Sequence, residues 1–180
     1  MRPRHLSFLA LLLAGCAATP LILPRTPSQL DATSVLGTWH VGASTFPMWL
    51  DGTRTSPTFT YSELVRRDGR VTMRDVVSYQ RHGQLETLEG LDVQHARTPS
   101  HFSWSGRGFL AAFTSEWDVV FLDAQRGLAI ITFSRTLATP AGLDVIWREP
   151  LSDEAWNEAL AEIDHTPELK AMAAGLTRLP

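Results

Sequence analysis

The chain has 180 residues, 44% of them hydrophobic, and a formal net charge of −3 at pH 7. This length fits one globular domain with a core of its own. The slightly acidic balance excludes the broad basic surface that nucleic-acid binding needs, so nucleic acid is not an expected partner. Cys16 is the single cysteine, which excludes an internal disulfide and leaves packing as the source of stability.

The first 16 residues are typical of an exported protein. Arg2 and Arg4 precede an apolar stretch over residues 6–13, and small residues lead to Cys16. This order predicts a secretory signal peptide, because so short an apolar segment does not span a bilayer of roughly 30 Å. The run Leu13-Ala14-Gly15-Cys16 resembles the bacterial lipobox, in which the cysteine becomes the lipidated first residue. We therefore predict a lipoprotein signal peptide over residues 1–15 and lipidation of Cys16.

Residues 16–29 are expected to form a lipidated tether. Pro20, Pro24 and Pro27 interrupt this segment, which favours an extended, semi-rigid spacer. Acyl chains contribute about 0.8 kcal/mol per buried CH₂, so several of them would hold the protein durably at a membrane. In lipoproteins of two-membrane bacteria, a residue other than aspartate after the cysteine, here Ala17, implies the outer membrane. We expect a lipid anchor there, on the periplasmic face; a chance small-residue run before a lone cysteine is the alternative.

Short runs rich in β-branched and aromatic residues recur from Trp39 onward and are separated by turn signals. The clearest pair is residues 61–67 and 70–80, joined by Asp68-Gly69, a dipeptide typical of tight hairpins. With the run that starts at Trp39, the remaining runs bring the count to about eight strands: 85–93, 101–105, 117–122, 128–134 and 143–148. Because short turns join successive strands, the pattern predicts an antiparallel meander.

A helical period replaces the strand pattern after residue 151. Ser152 is a good N-cap, and the apolar residues that follow share one helix face: Trp156, Leu160 and Ile163. Pro167 starts a second short helix, with an expected buried side formed by Leu169, Met172 and Leu176. Closure removes the exposed edges of a meander. We therefore predict, over residues 30–180, an all-β domain: an eight-stranded up-and-down antiparallel β-barrel with a C-terminal α-helix on its flank.

The run Leu36-Gly37-Thr38-Trp39 resembles the Gly-x-Trp signature of lipocalins. Residues 117–123 and 144–160 resemble the later strands and the flanking helix of bacterial lipocalins of the outer-membrane lipoprotein type. In that family the tryptophan packs against an arginine of the last strand, so the resemblance implies barrel closure by Gly37, Trp39 and Arg148. The second family motif, Thr-Asp-Tyr, is reduced to Asp123, so the resemblance is that of an outlying member.

Candidate ligand contacts come from one loop and from the predicted barrel wall. The connection over residues 45–57 carries an apolar cluster that would cover the cavity mouth, meet a membrane or partner, or pack on the core of the domain itself. Phe59 and Tyr61 share a strand face, and such aromatics either line a cup or fill it. The candidates are Phe46, Met48, Trp49, Phe59, Tyr61, Trp104 and Trp117. Two roles are open for Arg70, Arg74 and Arg107. One of them would pair with the carboxylate of a fatty acid, or all three would face solvent.

Catalytic and metal chemistry find little support in the sequence. The run over residues 103–107 lacks the first glycine of a nucleophile elbow. Five histidines lack the close spacing of a metal site: His40, His82, His95, His101 and His165. We therefore expect no metal, no cofactor and no catalytic residue. The resemblance implies noncatalytic binding of a small lipophilic ligand, such as a fatty acid or lysophospholipid, for storage, transport or membrane maintenance. The alternatives are an envelope interaction lipoprotein with a filled barrel and a lipocalin-fold enzyme.

Overall fold

In the computed structural model, residues 27–136, 139–149 and 152–180 are described. The barrel strands are β1 (Gly37–Ser44), β2 (Thr55–Arg67), β3 (Arg70–Arg81), β4 (Gln84–His95), β5 (Thr98–Gly106), β6 (Thr114–Asp123), β7 (Leu128–Phe133) and β8 (Gly142–Trp147). Each strand pairs antiparallel with its sequence neighbours, and β1 pairs with both β2 and β8. The sheet closes on itself, which confirms the predicted up-and-down barrel. The expected signal peptide, Cys16 and most of the tether lie outside the described residues.

Helices and short turns complete the chain: α1 (Pro47–Leu50), α2 (Asp153–His165), α3 (Pro167–Met172), a two-residue strand β9 (Thr177–Arg178), and 3₁₀ turns at Ala32–Val35 and Gly108–Leu110. The Ser152 hydroxyl accepts a hydrogen bond of 3.1 Å from the Ala155 amide, which confirms the N-cap of α2. Among the described residues, no helix is long and apolar enough to cross a bilayer.

Two apolar clusters lie on opposite sides of the barrel wall. One lies inside the barrel and includes Trp39, Tyr61 and Trp117. The other lies between the outer face of the wall and the C-terminal helices, with Ile130 and Ile163 among its members. Because β7 and β8 are buried on both faces, they read as continuous apolar runs with little alternation.

The structure corrects two predicted boundaries. Strand β2 begins at Thr55, so the connection after β1 spans residues 45–54 and contains α1. An irregular pairing between Thr55 and Thr58, with a positive φ at Ser56, accommodates Pro57 inside the strand. Helix α3 ends at Met172, before Leu176, and Gly175, with a φ of +87°, lies in the turn that leads to β9. Strand β9 pairs with the end of β1.

Candidate functional site

One end of the barrel is sealed by the residues of the Gly-x-Trp motif. The Arg148 guanidinium carbon lies 4.2 Å from the centre of the fully buried Trp39 ring. The Trp39 indole N–H donates to the Val35 carbonyl (2.6 Å), and Arg148 donates to the Ser34 carbonyl (3.0 Å). Gly37 has a φ of +104°, and a Cβ there would lie 2.6 Å from an Arg148 nitrogen. We call this the closed end, since the 3₁₀ turn, the indole and the guanidinium stack across it.

The opposite end, the barrel mouth, is covered by the connection over residues 45–54. Phe46 and Trp49 are each 5% exposed and belong to the interior cluster. The Phe46 ring meets the Phe133 ring edge-on at 5.5 Å, and the Trp49 ring lies 5.7 Å from the Tyr79 ring. Of the uses expected for this loop, the structure therefore shows packing on the domain's own core. Met48 is half-buried against that core, and Leu50 is exposed.

The other candidate ligand contacts face the interior. The Tyr61, Trp117 and Phe102 rings form a continuous stack, with centroids 5.3 Å apart for the first pair and 4.3 Å for the second. The Phe59 ring lies 6.5 Å from Tyr61. Trp104 is half-buried, and its indole occupies the space beside Gly90, where a Cβ would lie 2.1 Å from the indole nitrogen. All seven candidates thus lie in or against one aromatic interior.

The same interior holds three buried carboxyl groups that the sequence reasoning missed as a set. Asp75, Asp92 and Asp144 are 6%, 0% and 1% exposed. Asp75 pairs across strands with Tyr61, and Asp92 accepts a hydrogen bond of 2.8 Å from the Trp117 indole. Their charges add to burial in raising the pKa of Tyr61. We call these aspartates the interior carboxyls. The available signal was a position two residues from an inward-facing apolar residue, as for Asp75 and Met73.

Burial makes each interior carboxyl hard to ionise. It raises the pKa of Asp144 to about 7, against smaller opposing effects from Ser44 and Trp49. Burial also raises the pKa of Asp75, and burial and the Asp75 charge raise that of Asp92. Among the described residues, Oδ1 of Asp75, Oδ2 of Asp92 and the Trp104 indole N–H have no hydrogen-bond partner. A buried unpaired polar group costs about 1–3 kcal/mol, so this interior suits a ligand that supplies hydrogen bonds.

The arginines considered for a ligand carboxylate are engaged elsewhere or face solvent. Arg74 donates two hydrogen bonds to Glu89, of 3.0 and 2.9 Å, and Arg107 donates a third to the same carboxylate at 2.8 Å. Arg70 is exposed at the β2–β3 hairpin. Arg74 also alternates with the inward-facing Asp75, which places it on the outer face. The interior is therefore acidic, not basic.

The prediction that the histidines are too scattered for a metal site is wrong for two of them. The ligand atoms of His95, His101 and Glu116 all lie within 4.8 Å of one another on the outer face of the barrel. Burial lowers the pKa of His101, but the hydrogen bond and charge of Asp118, followed by Glu116, outweigh it and raise that pKa. The sequence gives no local signal for this grouping, because cross-strand pairing creates it.

Comparisons with known proteins support the fold and leave the chemistry open. The sequence matches no protein-family profile, and no curated protein matches it. The siderocalin Ex-FABP, described as functioning through dual ligand specificities, matches with a TM-score of 0.56 at 14% identity, over 82% of this chain and 94% of that one. The fold is a lipocalin-like barrel. The major allergen Per a 4 from cockroaches matches it with a TM-score of 0.58 at 14% identity, over 89% of this chain and 92% of that one.

Proposed function

We propose that the lipocalin-like barrel binds a small lipophilic ligand that carries a hydrogen-bond donor, and that a protonated amine fits best. The observation that carries this proposal is the set of interior carboxyls beside an aromatic stack. The stack offers apolar area, and the carboxyls offer unpaired acceptor oxygens. The Trp117 indole donates to Asp92, and the role we propose for the interior is binding without catalysis.

The interior carboxyls favour a cation over a fatty-acid anion. At about 4 Å and an effective dielectric constant of about 20, two like charges repel by about 4 kcal/mol, and opposite charges attract by as much. Aromatic faces such as those of Tyr61 and Trp117 add cation–π attraction of about 0.5–2 kcal/mol. A fatty acid or lysophospholipid fits only with its acyl chain inside and its anionic group held outside the mouth. An amphiphilic amine can place both of its parts inside.

Ligand entry requires the mouth to open. Phe46 and Trp49 occupy it, so α1 has to move away before a ligand reaches Tyr61. At about 25 cal/mol per Å², a ligand that buries roughly 200 Å² of apolar surface gains about 5 kcal/mol before ordering costs. That gain has to exceed the free energy lost when the two aromatic side chains leave the core. We propose α1 as the mobile lid of the site.

A lipidated Cys16 would place this binding site in the cell envelope. The basis is the sequence, in which the Leu13–Cys16 run resembles a lipobox and a proline-rich tether follows. We propose anchoring at the outer membrane, facing the periplasm, with storage or transport of the ligand near that surface. Cys16→Ala should leave the protein unacylated in a membrane-fractionation and mass-spectrometry assay. Wild-type protein that carries no acyl chain would refute the anchor while leaving the barrel site untouched.

Binding is tested by titrating the protein with dodecylamine, dodecanol and dodecanoate and following tryptophan fluorescence. We expect dodecylamine to bind most tightly and dodecanoate most weakly at pH 7.5. Asp144→Asn should weaken dodecylamine binding at least tenfold and leave dodecanol almost unchanged. The matched control is Asp68→Asn, which removes a carboxyl that is 91% exposed in a hairpin turn. Preferential binding of dodecanoate would refute the amine, and no binding of any of the three would refute the cup.

The exposed side chains of one loop favour a second candidate, the noncatalytic envelope interaction protein with a filled barrel. Phe109 and Phe113 are 87% and 53% exposed on the connection between β5 and β6. The sequence pointed instead to the apolar cluster over residues 45–57 as a docking surface, and Trp49 of that cluster is buried. Concavities of about 300 and 340 Å³ lie outside the barrel wall. This candidate gains support if the titration finds no ligand and Phe109→Ser abolishes association with other envelope proteins.

A further inference from the structure

The His95, His101 and Glu116 cluster lies on the outer face where three strands meet. His101 pairs with Asp118 and Ser103 with Glu116 across β5 and β6, while the intervening Phe102 and Trp117 face the interior. His95 ends β4, just after an irregularity in its pairing with β5. Three strands therefore each contribute side chains to one patch.

Short distances join these side chains. His101 Nε2 lies 3.0 Å from Glu116 Oε2, and His95 Nε2 lies 4.0 Å from the same oxygen. The two imidazole rings are 4.4 Å apart and nearly perpendicular. The Ser103 hydroxyl bridges His95 and Glu116, 2.6 Å from His95 Nε2 and 2.8 Å from Glu116 Oε2, to which it donates. Both Nε2 atoms thus converge on one carboxylate oxygen.

The arrangement around His101 calls for a second positive centre, either a second proton on the ring or a metal ion. Its Nδ1 lies 3.0 Å from Asp118 Oδ1, and its Nε2 faces Glu116. A neutral imidazole carries one N–H, so it can donate to only one of these two carboxylates. With the proton on Nδ1, the Nε2 lone pair points at a carboxylate oxygen, and the two repel. A metal ion between Nε2 and Glu116 removes this repulsion, and Asp118 then holds the ring as carboxylates commonly hold metal-binding histidines.

We propose that His95 Nε2, His101 Nε2 and Glu116 Oε2 bind a divalent transition-metal ion, with Zn²⁺ the best fit. Two imidazoles and one carboxylate suit Zn²⁺, whereas Mg²⁺ and Ca²⁺ prefer oxygen ligands alone. Zinc takes such ligands at about 2.0–2.2 Å in tetrahedral geometry, so they stand roughly 3.3 Å apart. The two contacts to Glu116, of 3.0 and 4.0 Å, bracket that value, and all three ligand atoms lie within 4.8 Å of one another, so the exposed His95 has to move inward to complete the set. The Ser103 hydroxyl or a water completes the coordination.

Burial differs among the three ligands in a way that suits a site loaded from solvent. The side chain of His101 is 3% exposed and fixed by Asp118, while those of His95 and Glu116 are 45% and 29% exposed. One ligand is rigid, and two can close on an arriving ion. The chain has a single cysteine and so no internal disulfide. A bound ion would instead cross-link β4, β5 and β6 through its ligands. We infer a stabilising role for the metal, independent of the ligand proposed for the interior.

Calorimetric titration of metal-free protein without a histidine tag tests the site. We expect one equivalent of Zn²⁺ to bind and to raise the melting temperature, whereas Mg²⁺ does neither. Co²⁺ should give the visible absorption of a tetrahedral nitrogen and oxygen site. Glu116→Gln should weaken Zn²⁺ binding about 100-fold or more. Asp118→Asn should weaken it about 10–100-fold, the usual effect of losing such an orienting carboxylate.

His95→Gln is the most informative variant, because His95 is exposed and its replacement leaves the fold intact. It should lose both the tight calorimetric signal and the rise in melting temperature. His82→Asn is the matched control; His82 is exposed in a hairpin turn with a φ of 51°, which asparagine tolerates. A cluster held only by hydrogen bonds predicts no Zn²⁺ binding below millimolar concentration. That result, or equal binding by wild type and His95→Gln, would overturn the proposal.

Discussion

Replacing Asp144 by asparagine should remove a pH-dependent instability from the barrel. Asp144 is 1% exposed, and burial raises its pKa from the ordinary 3.8 to about 7. A raised carboxyl pKa means that the folded state holds the proton more tightly than the unfolded state. The stability associated with the protonated group is therefore fully present below about pH 3.8 and is lost as the pH rises through about 7. Asparagine keeps the shape of the side chain and has no such proton to lose.

The size of the effect follows from the same pKa values. At about 1.4 kcal/mol for each tenfold change in proton affinity, a pKa moved from 3.8 to about 7 corresponds to about 4 kcal/mol. Relative to wild type, Asp144→Asn should gain as much as about 4 kcal/mol between pH 4 and pH 8. Most domains are stable by only about 5–15 kcal/mol, so the change is readily measured. Asp75 and Asp92 remain in the variant, so its own stability still falls with pH.

Urea unfolding followed by tryptophan fluorescence at pH 4.5, 6 and 8 measures this difference. The exposed Asp68→Asn variant serves as control and should follow wild type at every pH. The compared quantity is the free energy of unfolding of wild type and of Asp144→Asn. If the two values stay within about 1 kcal/mol of each other across the pH range, as is typical for exposed groups, the raised pKa of Asp144 is refuted.

Three further outcomes follow from the geometry. Gly37→Ala should destabilise the protein by about 2–3 kcal/mol in urea unfolding, because it combines a φ of +104° with a clash against Arg148; Gly69→Ala, with a φ of +73° and open space, should lose less. Gly90→Ala should displace the Trp104 indole, and an unchanged fluorescence spectrum would contradict the close packing seen there. Dodecylamine affinity should rise from pH 6 to pH 8 in calorimetry as Asp144 ionises, because an alkylamine stays protonated below about pH 10; a flat or falling profile would contradict the charge pairing.

Local sequence signals were enough to predict the eight barrel strands and their antiparallel order. Asp68-Gly69 takes positive φ values of 52° and 73°, as its turn type requires. Alternation placed Phe59 and Tyr61 on one face, and both face the interior. Strand β9 escaped prediction, because two residues carry no period and pair only after the barrel has formed.

The polar groups were harder to place for physical reasons. Aspartate is normally solvated, so a sequence reading assigns it outward unless the strand register is known to the residue. Asp75 shares a strand face with Val71 and Met73, but Val76 lies on the opposite face, so the apolar residues of this strand do not decide which face is buried. His95 and His101 are brought together by a pairing irregularity in the β4–β5 hairpin, which no local pattern indicates.

The N-terminal part of the chain enters the domain at the closed end of the barrel. Gln94 donates to the Leu30 carbonyl at 2.9 Å, and Asp31 pairs with Arg66, so the entering chain is held beside the 3₁₀ turn. Lipidation at Cys16 would leave a tether of 14 residues, whose extended length is about 40 Å at roughly 3 Å per residue. The barrel mouth would then point away from the bilayer, toward the aqueous side. A barrel held with its closed end toward the membrane would exchange its ligand with the aqueous side. Lipids of the anchoring leaflet would reach the barrel mouth only when the tether bends back.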